Sequence, residues 1–307
     1  MTQVDITGAT APGNRSPGRQ RSATLSIGDV RVGLTSSDLE IALDIPPVMN
    51  PFVCDSDHAD ARVEFRIDVI EPDASPVAFD SGGVWKLRRS ADELVFECRS
   101  PKFGAAPYKV GRFRLDFSRG EVVLHRPYFP AARSCYPLEY PLDELIFTNL
   151  LSRRNGVELH GCGVVDEDEG LLFLGFSGAG KSTLARLWLR HTGATILSDD
   201  RIILRMCDGR VMMHGTPWHG DAALVAKGPV PLSRLFVLHQ GPECAVRPCA
   251  GSEAVASLFA RCFAPFHCAD AVAATLETLE QTVGLVACAN LWFTPNDAAI
   301  DFIRACR

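Results

Sequence analysis

Residues 171–188 read LLFLGFSGAGKSTLARLW: four apolar residues, a loop with three glycines, a lysine, two hydroxyls and then a helical pattern. Gly175 to Ser182 is a full match to G-x-x-x-x-G-K-[ST], with a predicted strand before it and a predicted helix after it, the context the motif requires. Gly175, Gly178 and Gly180 let consecutive backbone N–H groups turn inward around phosphate oxygens, because a Cβ there would block the turn or the close approach. Ser177 and Ala179 complete the loop. Lys181 brings positive charge to the outer phosphates, Ser182 a hydroxyl to Mg²⁺ and Thr183 a second hydroxyl, at the positive N-terminal end of the following helix. The chemistry expected of these residues is nucleotide binding, with ATP and Mg²⁺ as cofactors.

Such a loop needs a strand to deliver it and a helix to receive it. From residue 155 onward strands and helices alternate, with strands near 157–163, 170–175, 194–198, 201–206, 210–214, 234–240 and 284–293, and helices near 181–191, 252–263, 269–282 and 296–305. Leu184, Leu187 and Trp188 recur at helical spacing, and Trp188 is expected in the core. Residues 25–125 read mainly as strands: Val63, Phe65, Ile67 and Val69 alternate with Glu64, Arg66 and Asp68, and similar runs fall at 83–90, 93–100, 111–118 and 121–127. A proline-containing segment, 128–141, joins the halves, and a helix fits 142–154. The expected fold class is an antiparallel β-rich N-terminal domain (23–141) followed by an α/β P-loop domain (142–307), behind a disordered tail (1–22).

The flanks of the loop narrow the choice of P-loop protein. An ABC-type ATPase would also need an LSGGQ-like segment and a glutamate after its Mg²⁺-binding aspartate, and neither is present. A small kinase of the adenylylsulfate kinase sort carries its loop near the start of a short chain, whereas here it begins at 175. The segments ELHGCGVVDEDEGLLFLGFSGAGKS and GATILSDDRIIL resemble the HPr kinase/phosphorylase family. His160 and Gly161, Gly175 to Ser182, and Asp199, Asp200 and Arg201 stand in that family's order and at nearly its spacing, from 155 to 206.

The resemblance implies an ATP-binding domain with the mixed sheet shared with phosphoenolpyruvate carboxykinase, and transfer of the γ-phosphoryl group to a serine hydroxyl with Mg²⁺. It implies that Asp199 and Asp200 hold the metal and accept the hydroxyl proton, with His160 near the transferred group. The chain departs from the family at Thr183, where Glu is usual, and lacks the R-G-x-G-I segment, in whose place stands MHGTPWHG, 213–220. The N-terminal half does not resemble that of the carbohydrate-regulating enzymes. The expected partner is therefore a hydroxyl-bearing acceptor that is a protein, a peptide or a small molecule, and a homo-oligomer stays open. The alternative is a nucleotide-sensing module that binds without transferring.

The residue types suit phosphoryl transfer. A serine hydroxyl is a poor nucleophile, so a carboxylate within hydrogen-bond reach must take its proton. Two adjacent aspartates at a strand end point in different directions, which lets one face metal and the other substrate. Asp199 is favoured for metal, with Ser182, and Asp200 for the base, although the sequence does not order them. His160 is placed either to pair with Asp200 or to contact phosphate. His214, Trp218 and His219 surround Gly215, Pro217 and Gly220 on an expected loop, either a lid over substrate or a plain turn. Asp166 to Glu169 reads as a hairpin turn.

Composition bounds the rest. The chain has 307 residues, 47% of them hydrophobic, enough for two ordinary cores. A formal charge of -6 gives no electrostatic reason to expect nucleic acid or an anionic membrane as partner. The first 22 residues lack a secretory apolar core and no apolar run approaches 18 residues, so a cytoplasmic protein is expected. Eleven cysteines include no CxxC pair; Cys244 with Cys249, and Cys262 with Cys268 beside His267, are spaced too loosely for the usual zinc sites, and free thiols are expected.

Overall fold

The computed structural model of the chain describes residues 20–104 and 106–306. Of the expected tail, 1–19 lie outside the described residues, and the first strand begins at Ser22. The first half supplies β1 (Ser22–Ile27), β2 (Val30–Ser36), β3 (Ala42–Leu43), β4 (Val53–Cys54), β5 (Ala61–Asp68), β6 (Val77–Asp80), β7 (Trp85–Arg89), β8 (Glu93–Cys98), β9 (Lys109–Arg114), β10 (Arg119–His125) and β11 (Ser134–Cys135). Nine of them form one sheet in the order β4-β1-β2-β5-β10-β9-β8-β7-β6. The period-2 alternation holds through β5, where Ala61, Val63, Phe65 and Ile67 are buried and Arg62, Glu64 and Asp68 are exposed, but Val69, expected on the inner face, lies past the strand end and is exposed.

The expectation of an antiparallel sheet is corrected at its centre, because β5 runs parallel to both β2 and β10. Parallel neighbours need a long crossover. Here the chain from 37 to 60 returns β5 beside β2, and the β6–β9 meander intervenes before β10. Alternation reports which face is dry and carries no information on strand direction.

The helix α1 (Leu142–Ser152) covers the dry face. Leu142, Ile146, Phe147, Leu150 and Leu151 enter one core with Leu25, Phe65, Phe96 and Phe113, and Ile203 from the second half joins them. Asp143 and Glu144 in its first turn complement the positive helix end.

The second half contains β12 (Gly156–Asp166), β13 (Glu169–Leu174), α2 (Lys181–Thr192), β14 (Thr195–Ser198), β15 (Arg201–Cys207), β16 (Arg210–Gly215), β17 (Val230–Gln240), β18 (Ala245–Pro248), α3 (Gly251–Phe259), β19 (Cys262–Phe263), α4 (Ala269–Leu285), β20 (Ala287–Phe293) and α5 (Ala298–Ala305). The expected strand at 284–293 therefore gives its first two residues to α4. The long β12 serves two sheets. Gly156–His160 pair with β15, and Gly161–Asp166 pair with β13. At the other side β17 pairs antiparallel with β16 and parallel with β13 and β20.

The run LLFL explains itself in this mixed arrangement. Leu171 and Phe173 enter a core with Leu184, Leu187, Trp188, Ile300 and Ile303, beneath α2 and α5. Leu172 and Leu174 enter the opposite core with Leu258 and Leu279, beneath α3 and α4. A strand covered on both faces has no polar positions to alternate. Trp188 is core, as expected. No helix of the described residues is long and apolar enough to cross a membrane.

His214, which the sequence reading placed both at the end of the 210–214 strand and in the segment around Gly215, is in β16, 2% exposed, with Nε2 3.8 Å from Asp29 Oδ2 in the β1–β2 turn. The ladder of β16 to β15 takes it inward. Burial pushes its pKa down to about 4, against the opposing pull of Asp29. A histidine whose folded pKa lies below its unfolded value near 6.5 lends stability that is complete above pH 6.5 and lost as pH falls toward 4, at up to about 1.4 kcal/mol per pH unit. In urea titrations from pH 7.5 to 4, His214→Asn is expected to show a shallower acid loss of stability than the parent chain. Parallel curves would remove His214 from the acid response.

Candidate functional site

The phosphate loop rises from the end of β13 and closes on α2. Gly180, the residue before the helix, has φ +101°, a left-handed conformation, and a Cβ added there would meet Phe293 Cζ at 2.8 Å. Lys181 is 6% exposed and its Nζ donates to the carbonyls of Gly175 at 2.9 Å and Phe176 at 3.2 Å. An ammonium has three donors, so one stays outside these two bonds. Burial lowers the Lys181 pKa, opposed by the carboxylate of Asp200.

The two aspartates after β14 do face apart. Asp199 is wholly buried; Oδ1 accepts the Gly220 N–H at 2.9 Å, and Oδ2 accepts the Ala222 N–H at 2.9 Å and the Ser182 hydroxyl at 3.2 Å. Asp200 turns to the other side, where Oδ1 lies 3.0 Å from His160 Nε2 and Oδ2 accepts from the Arg201 guanidinium. Burial opposes ionisation of Asp200, but the His160 bond and the charges of Arg201 and Lys181 outweigh it and hold the carboxyl below its usual range. The turn between the strands is set by Ser198, whose Oγ accepts the N–H of Asp200 at 3.3 Å and of Arg201 at 3.2 Å and donates to the Trp218 carbonyl at 3.2 Å.

Arg201 anchors a group of acids behind Asp200. Its Nε lies 3.4 Å from Glu158 and 3.8 Å from Glu144, and its guanidinium stacks 4.1 Å over the Phe263 ring. Burial, with Asp143 and Asp200 nearby, pushes Glu144 up to about 7 against Arg201. Burial likewise raises Glu158 well above the carboxylate range. Burial thus disfavours the charged form of Glu158 and Glu144, and the Arg201 guanidinium opposes this in both.

The resulting cleft, about 400 Å³, places Ser177, Gly178, Lys181 and Ser182 on one side and His160 and Asp200 on another. Gly180 and Thr183 also line it. Gly175 and Ala179 lie in the loop wall and Asp199 behind Ser182; none of the three lines the cleft. Sequence reasoning missed Arg186, Gly220 and Asp221, which complete the lining. Arg186 was open to detection, because it stands four residues after Ser182 and so on the same helix face. Gly220 was placed on the right loop, but its contribution is a backbone N–H, which no side-chain pattern announces. His219 is exposed, and its ring Nδ1 lies 3.0 Å from the Gly220 carbonyl.

Two hard oxygen donors, Ser182 Oγ and an Asp199 carboxylate oxygen, stand side by side at the loop. Mg²⁺ usually takes one or two protein oxygens and fills its remaining positions with phosphate and water; Ser182 lines the cleft and can give one, and the buried Asp199 stands behind it, bonded to its hydroxyl. Among the described residues no group of three or more His, Cys, Asp or Glu side chains is arranged to hold a metal, and all eleven cysteines are free thiols.

No family model matches the chain, and no curated protein matches it. Among solved structures it is similar to the Hpr(Ser) kinase/phosphatase from Coxiella burnetii, at 12% identity and a TM-score of 0.30, over 48% of this chain and 94% of that one. This is a distant structural relationship.

Because Gly180 combines a left-handed φ with the Phe293 contact, Gly180→Ala is expected to lower stability by about 1–3 kcal/mol in chemical denaturation. A stability unchanged within error would show that the loop adapts.

Proposed function

We propose that the chain is a kinase of the HPr kinase type, transferring the γ-phosphoryl group of ATP to the hydroxyl of a protein, peptide or small-molecule acceptor. The observation that carries this reading is the divergence of Asp199 and Asp200. One is bonded to the hydroxyl at the phosphate loop, and the other opens on the same cleft beside His160. A site that only binds nucleotide needs the first carboxylate and has no use for the second.

In this proposal residues 142–307 form the catalytic half and residues 23–141 take part in acceptor recognition. The N–H groups of Ser177 to Thr183 and the Lys181 ammonium bind and orient the phosphates. Ser182 and Asp199 would hold Mg²⁺, which when bound offsets the charge spreading over the phosphate oxygens. Asp200 accepts the acceptor's hydroxyl proton, and its lowered pKa keeps it ionised and ready at neutral pH. His160 fixes the Asp200 carboxylate in the orientation that faces the cleft. Phosphoryl transfer asks mainly for positioning and charge stabilisation, so a base of low pKa suffices if it is in place. A nucleotide sensor is the second reading, favoured by the absence of an R-G-x-G-I segment.

Three substitutions separate these readings. Lys181→Ala is expected to weaken ATP binding at least tenfold in titration calorimetry, and equal affinity would sink the loop assignment. Asp200→Asn keeps the side chain's size and is expected to leave ATP binding within twofold while transfer from γ-labelled ATP to hydroxyl acceptors falls by roughly 10²–10⁴. Asp199→Asn is expected to shift activity to higher Mg²⁺ concentrations. Undiminished transfer by Asp200→Asn removes it as the base, and ATP binding without transfer to any acceptor in the parent chain establishes the sensor.

A further inference from the structure

Asp199 depends on a loop that the strands β12–β20 do not hold alone. The loop presenting the Gly220 and Ala222 N–H groups enters at Trp218. The Trp218 carbonyl is held by the hydroxyls of Ser198 and Thr216, but its side chain reaches across to α1. The indole Nε1 donates to Asp143 Oδ2 at 2.9 Å, and the ring packs edge-on against Phe147 at 5.8 Å. Both partners lie on α1, whose apolar side chains belong to the core of the first sheet.

The connection continues into that sheet. Asp143 is 3% exposed, and its backbone N–H donates to the Leu138 carbonyl at 2.9 Å. The same turn is gripped by β9 and its neighbour: Lys109, 1% exposed, donates to the Glu139 carbonyl, and the Tyr108 hydroxyl to the Tyr140 carbonyl at 3.4 Å. An unbroken series of bonded groups thus runs from β9 through the 138–143 turn, the Asp143 carboxylate and the Trp218 indole to the N–H groups on Asp199. Burying an aspartate and a lysine costs stability that apolar residues of similar volume would not, and neither residue lines the nucleotide cleft.

We propose that the Asp143–Trp218 contact is a positioning link through which the first half of the chain sets how firmly Asp199 is held for a divalent cation. The proposal rests on the kinase reading only so far as Asp199 and Ser182 serve a nucleotide-bound Mg²⁺. Loosening the link lets the loop withdraw its N–H groups from Asp199. The carboxylate then drifts from its place beside Ser182, while the phosphate loop, bonded within itself, keeps its shape.

The test is calorimetric titration of ATP into the full chain, with Mg²⁺ and with EDTA, for the parent, Trp218→Phe, Asp143→Asn and the double variant. Trp218→Phe keeps a ring against Phe147 and removes only the donor. Asp143→Asn keeps one acceptor for the indole and removes the charge. Each single variant is expected to lose about three- to tenfold in ATP affinity with Mg²⁺ and to stay within twofold of the parent in EDTA. The double variant is expected to be no weaker than the worse single one, as two halves of one contact require. Parent-like affinity with Mg²⁺, additive losses, or an equal loss in EDTA overturns the link. A parent chain that binds no ATP in either condition overturns the phosphate site as well. Phe147→Leu, which leaves both polar partners intact, is the control and is expected to stay within twofold of the parent in both conditions; where one single variant fails to fold, the other carries the test.

Discussion

A carboxylate sealed from water has to be surrounded by hydrogen-bond donors, and Asp199 sets that condition at the centre of this protein. It receives three hydrogen bonds from two separate places, the first turn of α2 and the loop after β16. The two places come together only if β13, β14 and β15 lie in their observed order around β12. The small residue at 220 follows from the same demand, since a Cβ there would press on Asp199 Oδ2 at 2.9 Å. Asp200 inherits its direction from its neighbour: once Asp199 turns toward Ser182, the next side chain emerges on the other side, beside His160.

A second constraint lies under the first. Arg201 is the guanidinium that pairs with Asp200, Glu144 and Glu158, and burial pushes the last two upward against it. The sheet brings Glu158 and His160 to the same side of β12, two residues apart.

Much of this was legible in the sequence because the phosphate loop is local. Gly175 to Thr183 are contiguous, their strand and helix adjoin them, and the polar identities leave few alternatives. Asp199, Asp200 and His160 were singled out through the resemblance of the segments around the loop to the HPr kinase/phosphorylase family, and the structure gathers them with Ser182 within one small region. What escaped was carried by backbone groups or by distant pairing. Nothing in the types of residues 216–222 says that Gly220 and Ala222 lend their N–H groups to Asp199. The strand expected at 210–214 left His214 at its end, grouped with the lid candidates, and the ladder with β15 goes one residue further, to Gly215, and takes it inside. The parallel pairs β2–β5 and β5–β10 depend on long crossovers, and strand alternation is blind to those.

The double duty of β12 bears on how the gene can change. Its residues up to His160 are registered against β15 and those from Gly161 against β13, with a register shift against β14 between Gly163 and Val164. Inserting or deleting one codon near that junction would keep one ladder and force the other to slip, turning inward side chains outward along a whole sheet. Length variation among descendants of this chain should therefore collect in the 167–168 hairpin and in the connections outside the sheets, while the stretch carrying His160 keeps its length even where its residues change.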